Sequence, residues 1–370
     1  MIYFDNAANK KVNAETIKKL SEHLLAFGGN SESRHPYSYN AKKILSEKEV
    51  TLFSQMQLQN YEGFYFNSGT EIFNFIRFLI NEKGKKCNVV TSRLEHPALS
   101  ANLKNSIAEI RYIKLKNNYQ YDIESLTEVI DQATFMVAIN FIQSETGLVQ
   151  NLEEIIAKIK KINPSTLILI DSIQGFGKCE LPSGADFYTA SNHKICGIVG
   201  AVLIAKKYLQ LNLAEIYSKF RHDFYQIGRI EIPQLLAMYD TLKEELPKQK
   251  ENFNKVATIN NYIRKAITDK FDSKIYCRFT AENTTPYILQ IIFPNYDGAV
   301  LAGLLGEKGI MVSSGSACMA ESQIPSEALQ ELGFNNKEIF STIRLSFSEA
   351  NTINEADFFI KTLKEVLQNY

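Results

Sequence analysis

The chain has 370 residues, with 41 Lys plus Arg against 41 Asp plus Glu and a formal net charge of zero, so no overall field draws it to DNA or an acidic membrane. Hydrophobic residues at 45% and charged residues at 22% are ordinary globular values that exclude a disordered chain. This length exceeds what one hydrophobic core usually organises, and two domains are expected.

The opening MIYFDNAANKK has no basic segment leading into an apolar core and a small-residue cleavage site. No apolar run approaches the ~18 to 20 residues that span a bilayer. The expectation is a cytosolic protein without a membrane partner. The first periodic element is AETIKKLSEHLLAF, a helix with Ile17, Leu20, Leu24 and Leu25 on one face. Short β-branched runs follow at 88–92, 110–115, 135–142, 166–171 and 201–205, separated by helical patterns that include 71–82 and 152–162. Such runs, bare of alternation, predict a largely parallel sheet buried on both faces, an α/β core.

After about residue 233 comes a long helical stretch, PQLLAMYDTLKEELPKQKENFNKVATINNYIRKAI, then strand-like YILQIIF and IRLSFS flanked by helical patterns at 298–307 and 353–368. This predicts a smaller α+β domain over 246–370 beside a large domain over 15–245. The lysines of NEKGKKC and KIKKINPS read as solvated faces. Five cysteines, scattered and without a CxxC pair, suit neither a disulfide framework nor a zinc site. No metal is expected, and Cys87, Cys179, Cys196 and Cys277 read as buried thiols.

Open α/β sheets bind ligands at the carboxyl ends of their strands. Asp171 ends the run LILI, and Ser191-Asn192-His193-Lys194 follows a further strand at DFYTAS. Asn67-Ser68-Gly69-Thr70-Glu71 precedes a helix, where free N–H groups and the helix dipole suit a phosphate. His96 in TSRLEHPAL follows a strand in the same way. Cys318, in VSSGSACM, has only small neighbours, a setting that exposes a thiol rather than burying it.

In this order the segments resemble the fold-type I, class V pyridoxal-phosphate enzymes, and among them the NifS/IscS-like cysteine desulfurases. The resemblance runs through YFDNAAN, GNSESRH, YFNSGTE, TSRLEHPAL, QSETGLVQ, LIDSIQGFGK, ASNHKICG, VSSGSACM and STIRLSFSEANT. It implies that residues 1–14 pack with the smaller domain and that 15–245 bind pyridoxal 5'-phosphate. Lys194 would carry the cofactor as a Schiff base and move the substrate Cα proton, and Asp171 would pair with the pyridinium nitrogen. His96 would stack on the ring and Gln174 would donate to the phenolic oxygen. Gly69, Thr70, Ser191 and His193 would hold the phosphate, and Ser144 and Arg229 complete the implied cofactor set.

The resemblance further makes Lys194, His96 and Cys318 the catalytic residues, with Cys318 taking sulfur from L-cysteine as a persulfide while L-alanine leaves. Arg344 and Asn30 would bind the substrate, Arg344 through a bidentate pair with its carboxylate. A homodimer and a sulfur-acceptor protein, an iron–sulfur scaffold or a tRNA-thiolation carrier, are implied, without direct nucleic-acid binding. Four places depart from the family pattern: Ser144 replaces asparagine, the segment after Lys194 is shortened to Gly197-Ile198-Val199-Gly200, Asn9 replaces Thr or Ser, and Gln226-Ile227-Gly228-Arg229 stands for R-S-G-T. The alternatives are a class V aminotransferase or selenocysteine lyase on the same scaffold, or a catalytically weak sulfur-relay paralogue.

Overall fold

The computed structural model describes residues 1–207, 209, 212–224, 229–315 and 324–370. They form two compact units. One comprises Val12–Phe141 and Gln150–Pro247, the other Met1–Lys11, Ile142–Val149 and Lys248–Tyr370.

Among the described residues of the larger unit, seven strands lie side by side. Their order is Tyr61–Phe66, Ala201–Lys206, Phe187–Ser191, Leu167–Asp171, Thr134–Asn140, Asn88–Thr91 and Glu109–Tyr112. Only Ala201–Lys206 runs against the others, antiparallel to both its neighbours. The strands at 88–91, 134–140, 167–171 and 187–191 are buried at every position, which explains their uninterrupted apolar sequences. The helix Gly69–Lys83 buries Phe73, Phe75, Ile76 and Phe78, and Phe66, Phe75 and Phe78 meet Phe220 at ring-centroid distances of 5.3 to 6.3 Å.

The helix Ala14–Phe27 forms where periodicity predicts it, capped by Asn13 Oδ1 accepting from Thr16 N at 2.8 Å. Its orientation is the reverse of an amphipathic core helix. Thr16 and Lys19 are buried, while Ile17, Leu24 and Leu25 are exposed, Leu25 at 87%. An ion pair and a hydrogen bond hold the polar face to the helix Ile232–Glu245: Lys19 with Glu244 at 2.5 Å and His23 Nε2 with Asp240 Oδ2 at 2.7 Å. The predicted long stretch after 233 is two helices, Ile232–Glu245 and Gln249–Lys270, with a 3₁₀ turn at Leu246–Lys248 where Pro247 removes a backbone donor. A twenty-residue helix, Pro36–Gln55, was not marked by sequence spacing, because its buried positions include Ser38 and Ala41 beside Leu45, Leu52 and Phe53.

Two expectations are corrected. Lys160 is not simply solvated: its Nζ donates to Asp186 Oδ2 at 2.7 Å and to the Thr166 carbonyl at 2.8 Å. Cys87 and Cys196 are buried thiols, but Cys179 and Cys277 are only partly so.

In the smaller unit, Ser313–Ser314, Thr342–Ser346 and Ile288–Ile292 make a three-stranded antiparallel sheet. Ile2–Tyr3 pairs in parallel with Ile310–Met311. Alternation gives the sheet two faces. Leu289, Ile291, Ile343 and Leu345 enter a core with Phe4, Phe347 and Phe359, while Gln290 and Arg344 point to the opposite side. The inserted piece Ile142–Val149 is fastened by Val149 N to the Asn283 carbonyl at 3.0 Å and by Thr285 N to the Gly147 carbonyl at 2.8 Å.

Candidate active site

Phe66, Ala201 and Ser191 are partners in register across three adjacent strands, and Asn140 and Asp171 are partners across two more. The carboxyl ends of four of these strands, with the amino end of the antiparallel Ala201–Lys206, therefore collect on one edge of the large sheet, where α/β folds place their ligands. Asp171 is buried, and its Oδ1 accepts from Thr189 Oγ1 at 2.9 Å and from Ile173 N at 3.1 Å. Among the described residues its second oxygen takes no hydrogen bond. Burial raises the Asp171 carboxyl above its usual range. The Ile173 and Thr189 hydrogen bonds and the electrostatic influence of His96 and Lys194 act in the opposite sense, so both side chains lie within electrostatic reach of this carboxylate.

The strand Tyr61–Phe66 leads into the helix Gly69–Lys83. Ser68 Oγ accepts from Glu71 N at 3.3 Å, and Glu71 Oε2 accepts from Asn67 N at 2.9 Å, a reciprocal cap. The N–H groups of Gly69 and Thr70, the next donors at the helix start, have no acceptor among the described residues, and Thr70 is exposed. A Cβ at Gly69 would approach Ile173 Cδ1 to 2.8 Å, so glycine keeps this turn close to the loop that follows Asp171. The Gly200 amide donates to the Asn67 carbonyl at 3.1 Å, which links the shortened loop after Lys194 to the same helix start.

Ser191 Oγ lies 2.6 Å from His193 Nδ1. Burial, then the charges of Lys194, His96 and Lys178, lower the His193 pKa to about 4, so its imidazole is neutral at pH 7. Asn192 secures the Gly197–Gly200 turn by donating to the Val199 carbonyl at 3.0 Å. Gly200 has φ +128°, and a Cβ there would fall 2.5 Å from Asn192 Nδ2. Lys194 is half-buried on the short helix Asn192–Ile195. His96 caps the helix Pro97–Lys104, Nδ1 accepting from Ala98 N at 3.1 Å, which leaves the proton of the neutral ring on Nε2. Gln174 is buried on the loop after Asp171.

Glu95, beside His96, was not marked from sequence. It is buried, and its Oε1 accepts from Ser92 Oγ at 2.6 Å, Asn140 N at 3.1 Å and Tyr121 OH at 3.3 Å. Its Oε2 is buried without a partner among the described residues. Burial is the main reason its pKa is raised to about 8, and the Asp171 charge adds to it. A charged residue between Leu94 and His96 in a strand-end segment was the available signal. Thr189, the hydroxyl that fixes Asp171, lay unread inside the DFYTAS strand.

Ser144 and Arg344 belong to the smaller unit. Arg344 is buried; Nη1 donates to the Ser144 carbonyl at 3.0 Å, and Nη2 donates to Ser313 Oγ at 3.0 Å and Asp5 Oδ1 at 3.1 Å. Asp5 also accepts from Ser313 Oγ at 2.5 Å. Asn30 is exposed, its Oδ1 accepting from Glu32 N at 2.9 Å. Arg229 is exposed and pairs with Glu231 at 2.6 Å. Cys318, like Gln226, Ile227 and Gly228, lies outside the described residues.

Comparison with known proteins gives concordant results. The family model described as aminotransferase class-V matches residues 2–359. A cysteine desulfurase IscS of Buchnera aphidicola subsp. Baizongia pistaciae is 28% identical, with 98% of this chain and 92% of that protein covered. A cysteine desulfurase IscS of Pseudoalteromonas translucida is 26% identical over the same shares. Among solved structures, a NifS-like protein superposes with a TM-score of 0.86 at 21% identity, covering all of both chains. A NifS-like protein from Rickettsia africae gives 0.84 at 22% identity, covering 100% of this chain and 99% of that one.

Proposed function

The chain belongs to the aminotransferase class-V family, and on that premise we propose that it is a pyridoxal-phosphate-dependent cysteine desulfurase, which turns L-cysteine into L-alanine and passes the sulfur to an acceptor protein. The carrying observation is Asp171: a buried carboxylate fixed through one oxygen by Thr189 and Ile173, with its other oxygen unbonded among the described residues and Lys194 and His96 in electrostatic reach. That donor and acceptor set fits a protonated pyridine nitrogen with an aldehyde-bearing ring. The open N–H groups of Gly69 and Thr70, with Ser191 and neutral His193, suit a phosphate.

When bound, the cofactor supplies an electron-withdrawing ring that labilises bonds at the substrate Cα. Asp171 keeps the ring nitrogen protonated. Lys194 would hold the cofactor aldehyde and carry the substrate Cα proton on its ε-nitrogen. His96 packs against the ring, Gln174 donates to the phenolic oxygen, and Arg344 binds the substrate carboxylate. Ser144 and Arg229 complete the proposed cofactor set and Asn30 the substrate set. The thiolate of Cys318 would attack the substrate sulfur as the Cβ–S bond breaks, the electron pair of that bond staying on the carbon that is then protonated to the alanine methyl, and would keep the sulfur as a persulfide for an iron–sulfur scaffold or a tRNA-thiolation carrier. A cytoplasmic homodimer completes the proposal. The exposed Ile17, Leu24 and Leu25 stripe supports a second copy, and among the described residues no helix is long and apolar enough to cross a membrane.

The test is incubation with L-cysteine. With dithiothreitol as reductant alanine and sulfide appear in equal amounts, without it intact mass shows one added sulfur on Cys318, and Cys318→Ala abolishes both the sulfide and the added sulfur while visible absorbance persists. Borohydride reduction fixes the cofactor on Lys194. A keto-acid product indifferent to Cys318→Ala would instead identify an aminotransferase.

A further inference from the structure

Gln290 lies in the middle of the strand Ile288–Ile292 and pairs in register with Arg344 on the antiparallel strand Thr342–Ser346. Directly opposed residues share a face, with Cβ atoms about 5 Å apart, so both side chains rise from the face opposite the apolar core of this unit. Arg344 pairs in turn with Ser313 on the third strand. The result is a polar row, Ser313, Arg344 and Gln290, across a buried sheet. Ser313 and Arg344 are hydrogen-bonded within it. Gln290 is 4% exposed, and among the described residues both its Nε2 and its Oε1 are buried without a partner. Arg344 Nε and the nearby Glu145 Oε2 are buried and unpartnered as well.

A buried amide with neither atom satisfied costs more than an apolar residue of the same shape. Leucine would fit the pattern of YILQIIF and would not carry that cost. The unused donors are the two N–H of Gln290 Nε2 and the N–H of Arg344 Nε, and an acceptor-only group such as a carboxylate satisfies donors without needing any in return. Asp5 already neutralises Arg344 through Nη2, so a second carboxylate at this guanidinium gains less from charge than it would at a lone arginine. A neutral donor beside it restores the deficit.

We propose that Gln290 is a specificity-determining residue whose side-chain amide, side by side with Arg344, binds the α-carboxylate of the amino-acid substrate. The inference rests on the amino-acid substrate proposed above and deepens it. Gln290 selects substrates that carry the carboxylate and takes no part in proton or sulfur transfer.

The test is calorimetric binding to the holoenzyme of L-alanine and of ethylamine, the same molecule without its carboxylate, using wild type, Gln290→Leu and Gln290→Glu. Gln290→Leu binds L-alanine about tenfold more weakly, binds ethylamine as wild type does, and melts at the same or a higher temperature because an unsatisfied amide has gone. Gln290→Glu, which offers acceptors to an acceptor, loses more. The inference is overturned if wild type does not bind L-alanine, if Gln290→Leu binds it unchanged, or if that variant melts lower and loses both ligands equally, the mark of a structural role. Failure of the desulfurase reading shows separately, as wild type that makes no sulfide from L-cysteine whichever ligand it binds.

Discussion

Thr189 Oγ1 donates to Asp171 Oδ1 at 2.9 Å and accepts from the Ser172 amide at 3.1 Å. One hydroxyl thus orients the carboxylate and satisfies the loop that carries it. Thr189→Val keeps shape and β-propensity but removes both bonds. A hydrogen bond to a charged group contributes about 1.5–3 kcal/mol, so the variant should bind pyridoxal phosphate at least tenfold more weakly, measured by absorbance titration of the apoprotein. Thr189→Ser should restore most of the loss.

A buried carboxyl and a half-buried imidazole give stability opposite dependences on pH. Glu95 is raised from 4.5 to about 8. Folding therefore takes up a proton between those values, and this contribution falls as pH rises through the window. His193 is lowered from 6.5 to about 4. Folding there releases a proton, and stability is lost as pH falls from 6.5 toward 4. Glu95→Gln should flatten the decline in melting temperature between pH 5.5 and 8, and His193→Gln should flatten the acid-side decline. A Glu95→Gln profile that follows wild type across that range would mean Glu95 is ionised in the fold.

Asp186 is buried between Lys160 and the Ile168 amide, accepting at 2.7 and 2.9 Å. Asp186→Ala takes the acceptor from the Ile168 amide and the carboxylate from Lys160, whose ammonium keeps only its bond to the Thr166 carbonyl. With Lys160 still about one-third exposed, the cost is about 2 kcal/mol rather than the larger figure for a fully buried pair. Urea unfolding of the variant measures it, and Lys160→Met should recover part of the loss.

Replacing Arg344 by lysine keeps the charge and loses the fork that reaches Ser144, Ser313 and Asp5 together. Arg344→Lys should raise the KM for L-cysteine about tenfold or more. Absorbance of the bound cofactor should be unchanged in the free enzyme, since the guanidinium it loses is the proposed partner of the substrate carboxylate and not of the cofactor. Steady-state sulfide release and a spectrum of the resting enzyme check both halves.

Much of the large sheet was legible because strands buried on both faces must be apolar throughout, and the runs at 88–92, 135–142 and 166–171 were written that way. The polar residues at their ends were legible for the complementary reason, that an α/β sheet exposes only those ends to a ligand. Long-range pairing left no local trace. The inward face of Ala14–Phe27 is polar because Glu244 and Asp240 wait more than two hundred residues away, and spacing within the helix pointed to the wrong side. Gln290 passed as one polar letter in an apolar strand, and only its register with Arg344 gives it meaning. Asp5 became relevant only when folding brought it to Arg344.

The polypeptide enters and leaves the smaller unit repeatedly, at residues 11/12, 141/142, 149/150 and 247/248. No single proteolytic cut or gene truncation can therefore release that unit whole. A fragment beginning at Lys248 would lack Phe4, which is fully buried against Phe347 with ring centroids 5.2 Å apart. It would also lose the Ile2–Tyr3 strand and the Gly147 carbonyl that anchors Thr285. Ribosomal synthesis delivers the last of these pieces only with the C-terminal third, so this half of the protein completes its folding after most of the chain has emerged.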